Sequence, residues 1–308
     1  MSLVWVTGAA GFVGRALVQS LLDDPQGPAV LASDVELQQL PWARHPRVRL
    51  LPGDLADPAW RAQALSHRPT QLLHLASVPG GLAERDPALG WRVNLQASLD
   101  LLHELAACGH VPKVVFASTV AVYGTLHADR PVDEDQPCAP TLSYGAHKWM
   151  TEIALADLCR RGALRGLSLR LPGIVARPPA AGGHGSAFMS DLLRHLRTGE
   201  GAYTCPVSPQ AACWWMSLPC CVANLRHALA LDDAALPPSR VVQLPVLHAT
   251  VQQLVAAAAR PQAAVDWRPD AWIESTFGRL PPLHAPRARA LGFVDDGDPG
   301  TLIRRALS

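Results

Sequence analysis

The sequence predicts an α/β fold, a doubly wound parallel sheet followed by a smaller α+β C-terminal domain, and three observations carry that prediction. Leu3 to Val6 is a short unbroken apolar run, the signature of a strand covered on both faces. Thr7 then leads into Gly8, Ala9, Ala10, Gly11, Phe12, Val13 and Gly14, and an amphipathic run follows to Leu22, which reads as strand, glycine turn and helix. The strand signature returns at Val30 to Ser33 and at Lys113 to Ala117, and the pattern changes beyond Val175. A chain of 308 residues with 49% hydrophobic content can fill such a sheet and a second core.

Each glycine of the turn has a reason. Gly8 permits the tight bend, Gly11 lets the backbone approach a pyrophosphate, and Gly14 allows the helix to pack closely, with the diphosphate held at the helix N-terminus. The second strand ends at Asp34, twenty residues after Gly14, where a carboxylate accepts hydrogen bonds from an adenosine ribose and repels a 2′-phosphate. That favours NAD over NADP. The expected layout is an NAD-binding domain over residues 1–175, rejoined by part of 219–250, and a substrate-binding domain over 176–308.

Of 27 basic residues only two are lysines, and Lys148 stands four positions after Tyr144, one of three tyrosines. Residues at i and i+4 of a helix share a face, so a helix from Thr141 to Arg161, capped by Thr141 or Ser143, presents the two together. Trp149, Ile153, Ala156 and Cys159 fit its apolar period. A free phenol titrates near pH 10, and a neighbouring ammonium pulls that value towards neutrality. Tyr144 is therefore a candidate general base and Lys148 its partner.

The glycine pattern, Ser118-Thr119-Val120-Ala121-Val122-Tyr123-Gly124 and the Tyr144/Lys148 pair resemble the extended short-chain dehydrogenase/reductase family, also called the NAD-dependent epimerase/dehydratase family. Gly53-Asp54-Leu55, His74-Leu75-Ala76, Val93-Asn94-Leu95 and Arg170-Leu171-Pro172 match in order and spacing over residues 3–175. The resemblance implies a Rossmann-type fold with NAD as cofactor. It places Asp54 and Leu55 over the adenine, Leu75, Ala76 and Ser77 along the middle of the cofactor, and Pro172, Ile174 and Val175 beside the nicotinamide. Asn94 matches the family asparagine of the long helix after the fourth strand. Thr119 takes the place of the hydroxyl that donates to the reacting oxygen, with Ser118 beside it to contact substrate or hold the loop. Tyr123 is expected to pack.

Family members that dehydrate sugar nucleotides place Asp and Glu after the catalytic Thr, where this chain has Val120 and Ala121. The stretch Arg170 to Pro178, the Cys205-Pro206-Val207 and Trp214-Trp215-Met216-Ser217 segments, and the closing Arg287 to Phe293 resemble instead a branch that oxidises the C2 hydroxyl of a four-carbon sugar acid with NAD. That branch places arginine just after the tryptophan element, and this chain has Leu218, Pro219, Cys220 and Cys221 there. A buried carboxylate needs a charged donor, so Arg177 becomes the candidate anchor, supported by Ser77, Ser118 and Ser217. Trp215 is a candidate wall of the substrate pocket, or core. Two rival readings remain: an epimerase that retains its NAD, and a non-catalytic dinucleotide sensor.

A formal net charge of +1 without a basic cluster argues against nucleic acid as a partner. No secretory signal and no apolar run of spanning length is evident, which predicts a cytosolic protein without a membrane partner. The seven cysteines form no metal-like group with histidine, so no metal is expected, and Cys220 and Cys221 read as small buried residues. His147 reads as a helix-surface residue. Gly182, Gly183 and Gly185 read as a mobile loop over the site or as a linker. Helices are expected at 186–197, 219–231, 251–259 and 286–291, with short strands at 241–244 and 265–267. The resemblance further suggests a homodimer built on the helices at 87–108 and 141–161.

Overall fold

The computed structural model describes residues 2–37, 39–179, 185–199, 201–258 and 263–307. Its strands in chain order are β1 Leu3–Thr7, β2 Ala29–Asp34, β3 Val48–Pro52, β4 Gln71–His74, β5 Lys113–Thr119, β6 Arg165–Leu171, β7 Gly173–Val175, β8 Ala202–Cys205, β9 Ala212–Ser217, β10 Val241–Gln243, β11 Leu247–Thr250 and β12 Ala264–Trp267. Seven of them form one sheet in the order β10-β6-β5-β4-β1-β2-β3. The run β3-β2-β1-β4-β5 is parallel throughout. β1 and β5 are buried along nearly their whole length, which accounts for their unbroken apolar sequence.

The winding places the site. From β1 the chain moves outward to β2 and β3, then returns to lay β4 on the opposite side of β1. Connections leaving β1 and β4 therefore diverge, and a crevice opens beyond the carboxyl ends of the two strands. Beneath it lies a core in which Trp5, Leu31, Leu72, Val114 and Phe116 pack with Leu101, Leu105, Leu155 and Leu158. The indole of Trp5 donates to Ser33 Oγ at 2.8 Å, so its polar edge is satisfied despite complete burial.

The chain divides into two compact units. The first comprises Met1–Val122, Pro140–Arg170 and Val222–Val242, and the second Tyr123–Ala139, Leu171–Cys221 and Gln243–Ser308. In the second, β9 lies between an antiparallel β11 and a parallel β7, and β8 pairs in parallel with β12. Phe188, Leu192, Leu193 and Leu196 of the helix Ala187–Thr198 pack with Trp215, Leu254 and Leu302 in its core.

Three sequence expectations need correction. The single helix read over 87–108 is interrupted: a short helix Pro87–Gly90 passes through the π-helical turn Trp91–Gln96 into Ala97–Ala107. The helix read over 141–161 runs Ser143–Arg160, and neither Thr141 nor Ser143 caps it; the Ser143 N–H donates to the Glu84 carboxylate at 2.5 Å. Its buried face was also misassigned. Ile153 is 56% exposed, whereas His147, Lys148, Thr151 and Glu152 are buried with Leu155, Leu158 and Cys159. Polar side chains occupy the inner face here, so hydropathy alone selects the wrong phase. Gly182 and Gly183 lie outside the described residues, as do Ala259 and the other positions of 180–184 and 259–262. No helix among the described residues is long and apolar enough to cross a membrane.

Candidate active site

The bend after β1 is built for backbone proximity. Gly8 has φ +71°, and a Cβ there lies 2.8 Å from Ala76 N. A Cβ on Gly14 falls 2.1 Å from the Gly8 carbonyl, so Gly14 is needed against the turn itself more than against the sheet. Gly11 is exposed and precedes the helix Phe12–Leu22, whose start has no side-chain cap. The first-turn N–H groups, including those of the half-buried Phe12 and Val13, have no helical acceptor, an arrangement that suits an anion. Asp34, at the end of β2, accepts from Ala10 N at 2.9 Å and from Val35 N at 2.8 Å, which locks its carboxylate beside the turn. This donor and acceptor set fits a dinucleotide.

The neighbouring strand ends complete that edge. Asp54 accepts from Ala56 N at 2.9 Å and from Arg92 at 2.9 Å, while Leu55 is buried in the core and presents backbone alone. Leu75 N and Ala76 N both donate to Thr7 Oγ1, at 3.2 and 3.3 Å. The Ser77 hydroxyl is partly exposed. Asn94 sits inside the π-helical turn with its amide clamped to Val78, Oδ1 to N at 2.7 Å and Nδ2 to O at 3.0 Å. It thereby fixes the loop that carries Ser77.

A buried relay, not evident from the order of residues, ties these pieces together. Because Thr7 Oγ1 accepts two backbone N–H groups, its own hydrogen goes to His74 Nδ1 at 2.7 Å. His74 Nε2–H then donates to Ser98 Oγ at 3.0 Å, and Ser98 donates to the Asn94 carbonyl at 3.0 Å. Burial, assisted by the nearby Lys148 charge, pushes His74 down to about 3 and keeps it neutral. The glycine-turn strand and the Asn94 turn are thus held by one directional chain.

Tyr144, Lys148 and Thr119 belong to the same unit. Thr119 ends β5, and its Oγ1 accepts from Ala121 N at 3.2 Å, leaving its hydrogen without an acceptor among the described residues. The start of the Ser143–Arg160 helix is pressed against the next turn: a Cβ on Gly145 lies 2.4 Å from the Ala121 carbonyl. Lys148 is buried, with Nζ 5.6 Å from the Tyr144 ring centroid and 4.7 Å from that of Phe116. Its hydrogen-bond acceptor among the described residues is the Ala117 carbonyl at 2.8 Å, for a group with three N–H donors. Burial lowers Lys148 to about 7 against the opposing pull of Glu152.

Several candidates fall elsewhere. Successive residues of a strand face opposite ways, and Ser118, unlike Thr119, points inward: it is buried and donates to Glu152 at 2.5 Å. That corrects its reading as a substrate-positioning hydroxyl. His147 is likewise buried rather than on the surface, edge-on to Trp91 at 5.9 Å. Tyr123 packs as expected, its hydroxyl donating to Gln243 at 2.9 Å.

In the second unit Pro172 is buried, as are Ile174 and Val175 of β7. Trp215 is core and not a pocket wall, fully buried with its indole N–H on the Ala249 carbonyl at 3.0 Å. Ser217 is already committed to an anion: its N and Oγ both donate to the buried Asp296 carboxylate, at 2.7 and 2.6 Å. Both of its donors are thus occupied, so Ser217 is withdrawn as a substrate donor. Cys220 and Cys221 are buried thiols, each pushed up to about 12 by burial. Arg177 differs. Its Nε donates to the Ile174 carbonyl at 3.2 Å, and its Nη groups have no hydrogen-bond partner among the described residues.

Sheet, glycine turn, carboxylate and Tyr/Lys/Thr group together define a dinucleotide-dependent α/β enzyme. The NAD dependent epimerase/dehydratase family model matches residues 4–211, and the chain belongs to that family. It is 38% identical to a D-erythronate dehydrogenase of Cupriavidus necator, covering 98% of this chain and 96% of that one. A D-erythronate dehydrogenase of Haemophilus influenzae is 30% identical, covering 82% and 80%. Among solved structures, a nucleoside-diphosphate-sugar epimerase from Agrobacterium tumefaciens superposes with a TM-score of 0.88 at 29% identity, covering 98% of this chain and 92% of that one.

Proposed function

We propose that the protein is an NAD-dependent dehydrogenase that oxidises the C2 hydroxyl of D-erythronate to the 2-oxo acid. The observation that carries this reading is the similarity to D-erythronate dehydrogenase over nearly the full length of both chains, with Tyr144, Lys148 and Thr119 all present. Tyr144 takes the hydroxyl proton, Thr119 donates to the reacting oxygen, and Lys148 stabilises the phenolate and directs its spare N–H groups to the nicotinamide ribose. NAD, when bound, supplies the hydride acceptor. Asp34 holds the adenosine ribose and selects NAD over NADP, Gly8, Gly11 and Gly14 with the N–H groups of Phe12 and Val13 hold the pyrophosphate, and Asp54, Leu55, Leu75, Ala76, Ser77 and Asn94 line the rest. Pro172, Ile174 and Val175 border the nicotinamide. In this reading residues 1–175, with part of 219–250, bind the cofactor, and residues 176–308 bind the substrate. NADH formation across a panel of aldonic acids, uronic acids, sugars and sugar nucleotides tests it: D-erythronate should be the preferred substrate, and a preference for a sugar nucleotide would sink it.

Arg177 is the proposed carboxylate anchor, since its Nε is pinned and its Nη pair is available for a bidentate grip. Arg177→Met is expected to raise KM for the sugar acid about 10- to 100-fold, in line with loss of a charged hydrogen bond of roughly 1.5–3 kcal/mol, while the KM for NAD stays put. Equal change in both constants would remove the anchor role.

A homodimer is also proposed. Trp91, Met150 and Ile153 are exposed at 54%, 37% and 56%, on the same two helical segments that dimerise in the family resembled above. Sedimentation should give twice the 32.9 kDa chain mass, and Ile153→Glu should give the monomer; a monomeric wild type rejects the dimer.

A further inference from the structure

Glu152 lies one helical turn beyond Lys148, so both side chains leave the same face of the Ser143–Arg160 helix. Only 2% of Glu152 is exposed. Its carboxylate accepts from Ser118 Oγ at 2.5 Å, from Arg170 Nε at 3.0 Å and from Arg170 Nη2 at 2.7 Å. Three elements are joined by these bonds: the end of β5, the helix and the end of β6. Consecutive residues of β5 receive that one helix face, Ala117 from Lys148 and Ser118 from Glu152, and Thr119 follows directly. A slip between helix and strand would therefore shift Lys148 relative to Thr119.

The charges give the cluster a second task. Arg170 and Lys148 are both buried cations, and Glu152 is the acidic group acting on Lys148. The other groups around the ammonium are the Phe116 ring and Ala117 carbonyl of β5, Tyr144 on the same helix, and the neutral His74 of β4. An arginine cannot release its proton, so loss of the carboxylate makes Lys148 the group that gives way. We propose that Glu152 is a positioning residue of the active site, clamped by Ser118 and Arg170 so that it sets the helix against β5 and keeps Lys148 an ammonium. The proposal rests on the reading of Lys148 given above, but its test needs no turnover.

The chain has two lysines, so selective ¹³Cε-lysine labelling gives two signals, with Lys113 assigned by Lys113→Arg. In Glu152→Gln the Lys148 titration midpoint should fall by at least one pH unit, a tenfold weaker hold on the proton, with Lys113 unmoved. Ser118→Ala keeps the carboxylate and should leave the midpoint within a few tenths. Because Glu152→Gln removes the carboxylate that Arg170 grips and can unfold the chain, the double variant Glu152→Gln/Arg170→Gln serves as the second measurement and should also titrate below wild type. An unchanged Lys148 midpoint in either folded variant overturns the proposal. A wild type that oxidises no sugar acid defeats the functional reading instead, and the titration is decided separately.

Discussion

Tyr144→Phe should bind NAD as the wild type does and form NADH about 100 to 10,000 times more slowly, the usual yield of a positioned proton acceptor. The ring is retained, so its contact with the Gly80 turn, where a Cβ would lie 3.5 Å from Tyr144 Cβ, survives the change. What disappears is the oxygen proposed to take the substrate proton. The measurement is kcat for D-erythronate alongside the dissociation constant of NAD by fluorescence titration. A kcat within a few-fold of wild type would assign the proton to another group; weakened NAD binding with normal kcat would make Tyr144 a cofactor contact only.

Lys148→Met should be comparably slow, and it carries a second signature in stability. Burial lowers the lysine from 10.5 to about 7 in the folded chain. Below about pH 7 the group is protonated both folded and unfolded, and the folded state bears the whole cost of an enclosed ammonium. Between about 7 and 10.5 the unfolded chain still holds a proton that the folded chain has released. Stability therefore rises with pH across that window, by up to about 1.4 kcal/mol per unit. Lys148→Met should lose most of this rise and gain relative stability at pH 6. Denaturant titrations of both proteins from pH 6 to 10 test it, and parallel pH profiles would mean that Lys148 is solvated or neutral throughout.

Much of the framework of this candidate site was legible in the sequence. β1, the glycine turn, Asp34 and the Tyr144/Lys148 spacing depend on local rules: an apolar run, a positive φ at Gly8, a strand-end acid and helical periodicity. Contacts between distant segments were not legible. The alternation of β5 separates Ser118 from Thr119, but which hydroxyl points inward depends on Glu152 and Arg170 from two other elements. The same holds for Ser217, whose partner Asp296 stands 79 residues away. The π-helical turn around Asn94 left no mark in hydropathy, and His74, read as part of a motif, turned out to be the centre of a relay built from three segments. On the Ser143–Arg160 helix the apolar period failed because His147, Lys148, Thr151 and Glu152 occupy the inner face.

D-erythronate carrying deuterium at C2 offers the most direct trial of hydride transfer from that carbon to a cofactor that then leaves. Incubated with NAD and analysed by mass spectrometry, the wild-type protein should release reduced cofactor bearing one deuterium for each 2-oxo acid formed. Deuterium retained on a sugar acid of inverted or unchanged configuration, with no reduced cofactor in solution, would contradict it.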